Sequence, residues 1–217
     1  MEILYEDTAL VVALKPTNAV SESTPAGDGF ADLLAARSGG YIGTVHRLDR
    51  GVGGVTVYAK TPDAAAHLSE SVRNHSFKKE YLAAVHGIPS PRGGELRDLL
   101  FHDRMKNKTF VVDRPRRGVK EAILDFEVLQ TATVDGEACS LLRVRLRTGR
   151  THQIRVQFSS RGHALIGDGK YGSRTKSPIG LFCRRLEIPH PVTKKILTVD
   201  ALPNGHPWEM FDLSQIR

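Results

Sequence analysis

Short apolar runs broken by turn residues dominate the chain. Ile3-Leu4-Tyr5 and Leu10 to Leu14 read as two strands around an Asp7-Thr8 turn, the second ended by Lys15-Pro16. Residues 17–29, rich in Ser, Thr, Pro and Gly, read as loop. Asp28 is placed to cap a helix carrying Phe30, Leu33 and Leu34, which Gly39-Gly40 stops. Val55 to Lys60 predicts a strand with Val55, Val57 and Ala59 on one face. Thr61-Pro62-Asp63 has the cap, the first-turn proline and the dipole-facing acid of a helix start, and Leu68 and Val72 follow at i and i+4. Tyr81 to Val85 is a further strand, closed by Gly87-Ile88-Pro89.

From about 90 to 118 the pattern predicts short antiparallel strands joined by basic loops, with Pro91, Gly93-Gly94, Pro115 and Gly118 supplying the turns. Ala122 to Leu129 and Ser140 to Arg147 follow as longer strands. In the latter, Leu142, Val144 and Leu146 alternate with Arg143, Arg145 and Arg147. A wholly basic strand face has two readings that stay open: a solvated face, or a ribbon that contacts a phosphate backbone. Thr151 is placed to cap a helix over about 151–161, with Ile154 and Phe158 as its apolar pair and Gly162 as its stop. Strands outnumber helices and do not alternate with them, which predicts α+β with a largely antiparallel sheet rather than a doubly wound one.

Composition narrows the class. The chain has 217 residues, 40% hydrophobic and 25% charged, which suits a packed domain and not bulk disorder. Lys and Arg number 31 against 24 Asp and Glu, a net charge of +7 that favours a polyanionic partner. No run approaches the roughly 18 to 20 apolar residues of a membrane helix, and the acidic start lacks the basic region of a signal or transit peptide. Cys139 and Cys183 form no Cys-x-x-Cys pair, and His86, His102, His163, His190 and His206 lack close ligand spacing. The expectation is a cytoplasmic protein without metal, the cysteines small buried residues and Trp208 a packing anchor.

Two constellations hold candidate chemistry. His46-Arg47-Leu48-Asp49-Arg50-Gly51-Val52-Gly53-Gly54 sets one carboxylate between arginines ahead of a glycine cluster. Arg147-Thr148-Gly149-Arg150-Thr151-His152-Gln153-Ile154-Arg155 opens a predicted helix with cations suited to a phosphate, and Arg155 is suited to grip a carboxylate bidentately. Taken alone, Asp49 reads first as a structural ion-pair partner in a loop, and Asp168 in Gly167-Asp168-Gly169 as a turn-former.

Together with Gly167-Asp168-Gly169-Lys170-Tyr171-Gly172, Lys15-Pro16 and Lys79-Glu80-Tyr81, these strings closely resemble the RluA-type RNA pseudouridine synthases, from Ile3 to about Leu202. The resemblance implies an α+β catalytic fold, its central, mostly antiparallel sheet split by a basic cleft. It implies conversion of uridine in RNA to pseudouridine after base flipping, without metal or organic cofactor. It aligns Asp49 with the essential aspartate, Arg155 with the arginine that pairs with it, and Tyr81 with the tyrosine that stacks near the uracil. Arg47 aligns with an arginine that fills the gap left by the base, and Ile154 with an apolar pocket residue. His46, Arg50, Lys79, Arg150, Thr151, His152 and Gln153 are the further residues expected at the RNA.

The chain departs from the family pattern in two places. Val52 and Gly53 stand where Thr and Ser are usual, so hydroxyls that would fix the loop are missing, and Gln157 stands where His is common. The expected organisation is one catalytic domain over 1–217, monomeric, with no separate N-terminal RNA-binding module. The expected substrate is structured transfer or ribosomal RNA, read by the domain itself through the basic segment 104–120. The competing class is a non-catalytic RNA-binding protein that retained the fold. A metal-dependent phosphate-ester hydrolase lacks a second acid near Asp49.

Overall fold

The structure, a computed structural model, describes residues 1–25, 27–134 and 136–216. The loop read over 17–29 therefore includes one position, 26, outside the described residues. The chain divides into two compact units, Met1–Lys79 with Phe182–Pro203, and Glu80–Leu181 with Asn204–Arg217.

In the first unit β1 (Glu2–Glu6) and β2 (Leu10–Lys15) form an antiparallel hairpin. Asp7 makes its turn, Oδ1 accepting from the N–H groups of Ala9 at 2.8 Å and Leu10 at 2.9 Å. β2 pairs antiparallel with β4 (Gly53–Ala59), and β3 (Gly43–Thr44) also lies on β4. β4 runs parallel to β10 (Leu181–Pro189), which pairs antiparallel with β11 (Ile196–Asp200).

α1 (Phe30–Ser38) buries Phe30, Ala31 and Leu34 against Val11, Ala13 and Tyr58. Its cap is Gly29, not Asp28: the Asp32 carboxylate reaches back to accept from the Gly29 N–H at 2.7 Å. Leu33 faces solvent. Since strand side chains alternate, Tyr58 points to α1 while Val55, Val57 and Ala59 point away, yet every β4 residue is buried. The predicted one-faced strand is thus buried on both faces. α2 (Pro62–Arg73) starts as its sequence predicts, with Thr61 Oγ1 accepting from the Ala64 N–H at 3.1 Å.

The second unit is an antiparallel sheet in the order β5 (Lys78–His86), β9 (Glu137–Leu146), β8 (Val119–Val134), β6 (Gly93–Asp103), β7 (Lys108–Val112). β6 and β8, with 11 and 16 residues, are longer than the turn residues around them suggest. α3 (Gln153–Ser159) spans only 7 residues and is buried from Gln153 through Phe158. Val156 joins Leu100, Ala122 and Tyr171 in one apolar cluster, and the Phe158 ring meets Phe126 edge-on at 5.4 Å. The α+β class and the predominance of antiparallel pairing match the expectation. Cys139 and Cys183 are buried, as is Trp208.

Candidate active site

The residues singled out in the sequence fall into two sets, one in each unit. In the first, the extended segment 46–49 alternates: His46 and Leu48 point inward, Arg47 is exposed, and Asp49 is half-buried. His46 Nε2 accepts from the Val57 N–H at 3.1 Å, and its ring lies 5.1 Å from that of Phe77. Burial, aided by the charge of Lys79, holds the His46 pKa well below the usual histidine value, so the ring is neutral. The ring thereby pins the loop to β4.

The Ser21 hydroxyl clamps the next turn of chain, accepting from the Leu48 N–H at 3.1 Å and donating to the Leu48 carbonyl at 3.0 Å. The Asp49 carbonyl then accepts from the Val52 N–H at 3.0 Å. The loop is therefore fixed without the Thr and Ser hydroxyls. Val52 is buried, and a Cβ on Gly53 would press on the Lys15 carbonyl and the Thr17 methyl at 3.3 Å. Gly54 has φ +131, and a Cβ there would overlap the Cys183 backbone, its partner on β10.

Lys15 closes β2 and is 1% exposed. Its Nζ donates to the carbonyls of Pro16 at 3.0 Å and Ala19 at 2.7 Å. Burial lowers its pKa to about 8, and the charge of Asp49 acts in the opposite direction. The sequence marked Lys15 only as part of a motif; the available signal was a lysine ending an otherwise apolar strand. Nearby, exposed Arg47 pairs with Glu22 at 2.6 Å, and Arg50 Nε donates to the Asn18 carbonyl at 3.3 Å. Lys79 lies 5.4 Å over the Phe77 ring, and burial lowers its pKa too.

In the second unit Tyr81 is buried at the head of β5, opposite Val144 of β9. Arg155 is 6% exposed, and Asp168 grips it with Nε–Oδ2 at 2.6 Å and Nη2–Oδ1 at 2.8 Å. Asp168 does shape a turn, its carbonyl accepting from the N–H groups of Tyr171 and Ser173, but its carboxylate is the arginine's partner, a role the turn reading missed.

The start of α3 also differs from the expectation. The cap is His152 at φ 54, not Thr151, and its side chain makes no capping bond. Gln153 is 3% exposed: its Oε1 accepts from the Arg150 N–H at 3.0 Å and the Thr148 hydroxyl at 2.8 Å, and its Nε2 donates to the Ile123 carbonyl at 3.1 Å. Arg150 Nε donates to the Glu121 carbonyl at 2.8 Å. His152 and Ile154 are buried, while Thr151 is exposed. His152 and Gln153 thus brace the turn from within, the Gln153 side chain taking the Arg150 N–H and the Gln153 N–H donating to the Arg150 carbonyl at 3.1 Å. Gln157, fully buried, donates from Nε2 to Asp98 Oδ2 at 2.7 Å.

The basic face of β9 is exposed at Arg145 and Arg147, as a solvated face would be, and its charges are paired. Arg143 meets Glu127 at 2.5 Å and Glu80 at 3.4 Å, Arg145 meets Glu80 at 3.0 Å, and Arg147 meets Asp125 at 2.7 Å and Glu95 at 2.9 Å. Neighbouring strands supply the acids, so the face is an ion-pair ladder around a groove of about 300 Å³. Arg104, Lys106, Arg114 and Arg117 differ: they lie in exposed turns and pair with no acid among the described residues.

A family model described as RNA pseudouridylate synthase matches residues 9–160. The chain belongs to that family. It is 32% identical over 225 residues to ribosomal large subunit pseudouridine synthase D of Zymomonas mobilis, covering 93% of this chain and 68% of that protein. The protein of the same name from Pseudomonas aeruginosa is 32% identical over 242 residues, covering 100% of this chain and 73% of its own. The fold is that of human RNA pseudouridylate synthase domain containing 4, with TM-score 0.74 at 24% identity, 93% of this chain and 88% of that one. The synthase is accordingly an isomerase that acts on uridine in RNA. Among its described residues, no helix is long and apolar enough to cross a membrane.

Proposed function

We propose that this synthase isomerises uridines of large-subunit ribosomal RNA, with Asp49 as the attacking group and Tyr81 and Arg155 as the residues that serve it. The named target of the Zymomonas and Pseudomonas relatives supports the choice of ribosomal over transfer RNA. The observation that carries the role of Asp49 is its loop. His46, Ser21 and Val52 hold the backbone on both sides of a half-buried carboxylate whose near neighbour is a buried lysine. A nucleophile needs a fixed geometry, and a rigid loop supplies it.

Exposed Arg47, in the same loop, is suited to occupy the space of an extruded base, offsetting part of the few kcal/mol that unstacking costs. Tyr81 offers a π-face for the uracil. We read the two units as one catalytic domain, since the family match runs through both. The same reading makes the synthase a cytoplasmic monomer that requires no metal.

The test is Asp49→Asn assayed on ribosomal RNA. Pseudouridine formation is expected to vanish while RNA affinity stays within about threefold. Turnover by Asp49→Asn would overturn the assignment, and wild-type protein that binds RNA but never forms pseudouridine would favour a non-catalytic module. Mapping pseudouridine in ribosomal and transfer RNA with and without the gene decides the substrate.

A further inference from the structure

The turn between β6 and β7, Arg104–Asn107, is exposed and basic, and the strand leaving it is fastened to the segment that carries Arg155. The Thr109 N–H donates to Tyr171 Oη at 2.8 Å, and the Thr109 hydroxyl donates to the Thr151 carbonyl at 2.8 Å. Lys170 Nζ donates to the Asn107 carbonyl, in the turn itself, at 2.9 Å. From the other side, the Arg155 guanidinium carbon lies 5.0 Å from the centre of the Tyr171 ring, and Tyr171 Oη lies 2.9 Å from His152 Nδ1, just ahead of Arg155 in the chain. Tyr171 is 5% exposed, and its N–H is bonded to the carbonyl of Asp168, the residue that forks Arg155. One side chain therefore touches both the strand of the basic turn and the arginine.

We propose that Tyr171 is a positioning residue that couples RNA seated on the Arg104–Asn107 turn to the setting of the Arg155 guanidinium. The proposal rests on the reading of Arg155 as a residue that serves the reaction. Among the described residues β7 is the edge strand of its sheet, with a β-strand neighbour on one side, so its position depends on these ties. Phosphates held by Arg104 and Lys106 restrain the turn, Thr109 passes that restraint to Oη, and the ring with Asp168 limits where the guanidinium sits. A misplacement of about 1 Å costs on the order of a hundredfold in rate, so this restraint acts on turnover and not only on affinity.

The experiment is steady-state kinetics on a structured RNA with wild type, Tyr171→Phe, Arg104→Ala with Lys106→Ala, all three changes together, and Arg155→Lys. Tyr171→Phe keeps the ring over Arg155 and removes only the hydroxyl bonds. It is expected to lower kcat about tenfold with KM within about threefold. The turn variant is expected to raise KM and lower kcat. The combined variant is expected to raise KM again but to lower kcat no further than Tyr171→Phe alone. Two kcat losses that simply multiply, or a Tyr171→Phe kcat equal to wild type, overturn the coupling.

Should Tyr171→Phe melt early, exposed Lys170→Ala cuts the second tie; a kcat loss of about threefold supports the coupling and an unchanged kcat overturns it. Arg155→Lys separates the two readings. Full activity there removes Arg155 from the reaction, and the coupling falls with it. An inactive Arg155→Lys beside multiplying losses sinks the coupling alone.

Discussion

At the scale of single residues, Lys15 makes the sharpest statement. A lysine held at a pKa of about 8 in the fold and near 10.4 in the unfolded chain is bound to fewer protons when folded over that interval. Stability therefore rises with pH from about 8 to 9.5, by about 1 kcal/mol per unit at most. Over the same interval the cation beside Asp49 is lost, and kcat/KM is expected to fall with an apparent pKa near 8. Urea unfolding and rate profiles measured together check both trends. Lys15→Met is expected to flatten the stability slope, and parallel rises in rate and stability would refute the account. The sequence disclosed Lys15 only by its motif, because burial of a charge is set by what packs over it. The bracing bonds of His46 and Gln153 were illegible for the same reason: polar residues in a functional motif look alike in sequence whatever they pack against.

At the scale of elements, the parallel pairing of β4 with β10 depends on one glycine. Gly54→Val adds a side chain that overlaps the Cys183 backbone at a φ that L-residues rarely adopt, and it is expected to destabilise by several kcal/mol or prevent folding. Thr61→Ala, which removes only the α2 cap, is expected to cost about 1 kcal/mol. Chemical denaturation compares the two, and a Gly54 variant as stable as Thr61→Ala would contradict the close approach. Elements specified by local signals were legible: the Asp7 turn, α2 with its cap, and the alternating β9. Those decided by tertiary packing were not. β4 is buried on both faces because α1 lies on one of them, and α3 is short because its first residues are consumed by the turn that Gln153 braces. The acids opposite β9 come from β5, β6 and β8, out of reach of any local pattern.

At the scale of the whole molecule, the net charge of +7 is unevenly employed. Arg143, Arg145 and Arg147 are cancelled by Glu80, Glu95, Asp125 and Glu127, whereas Arg104, Lys106, Arg114 and Arg117 stand in exposed turns. RNA affinity is expected to fall steeply with salt. Replacing Arg114, Arg116 and Arg117 by Ala is expected to reduce the slope of log affinity against log salt by about 2 to 3, while Arg145→Ala leaves it nearly unchanged. Filter binding from 50 to 300 mM salt, on the order of the range where counterion release dominates, measures both, and an equal effect from Arg145→Ala would return β9 to the RNA face.

The ladder on β9 also bears on how an encounter begins. A polyanion drifting toward that wall meets alternating charges whose far field sums to little, while the unmatched turns pull from a distance. An encounter is therefore expected to begin at the unmatched turns and not on the ladder.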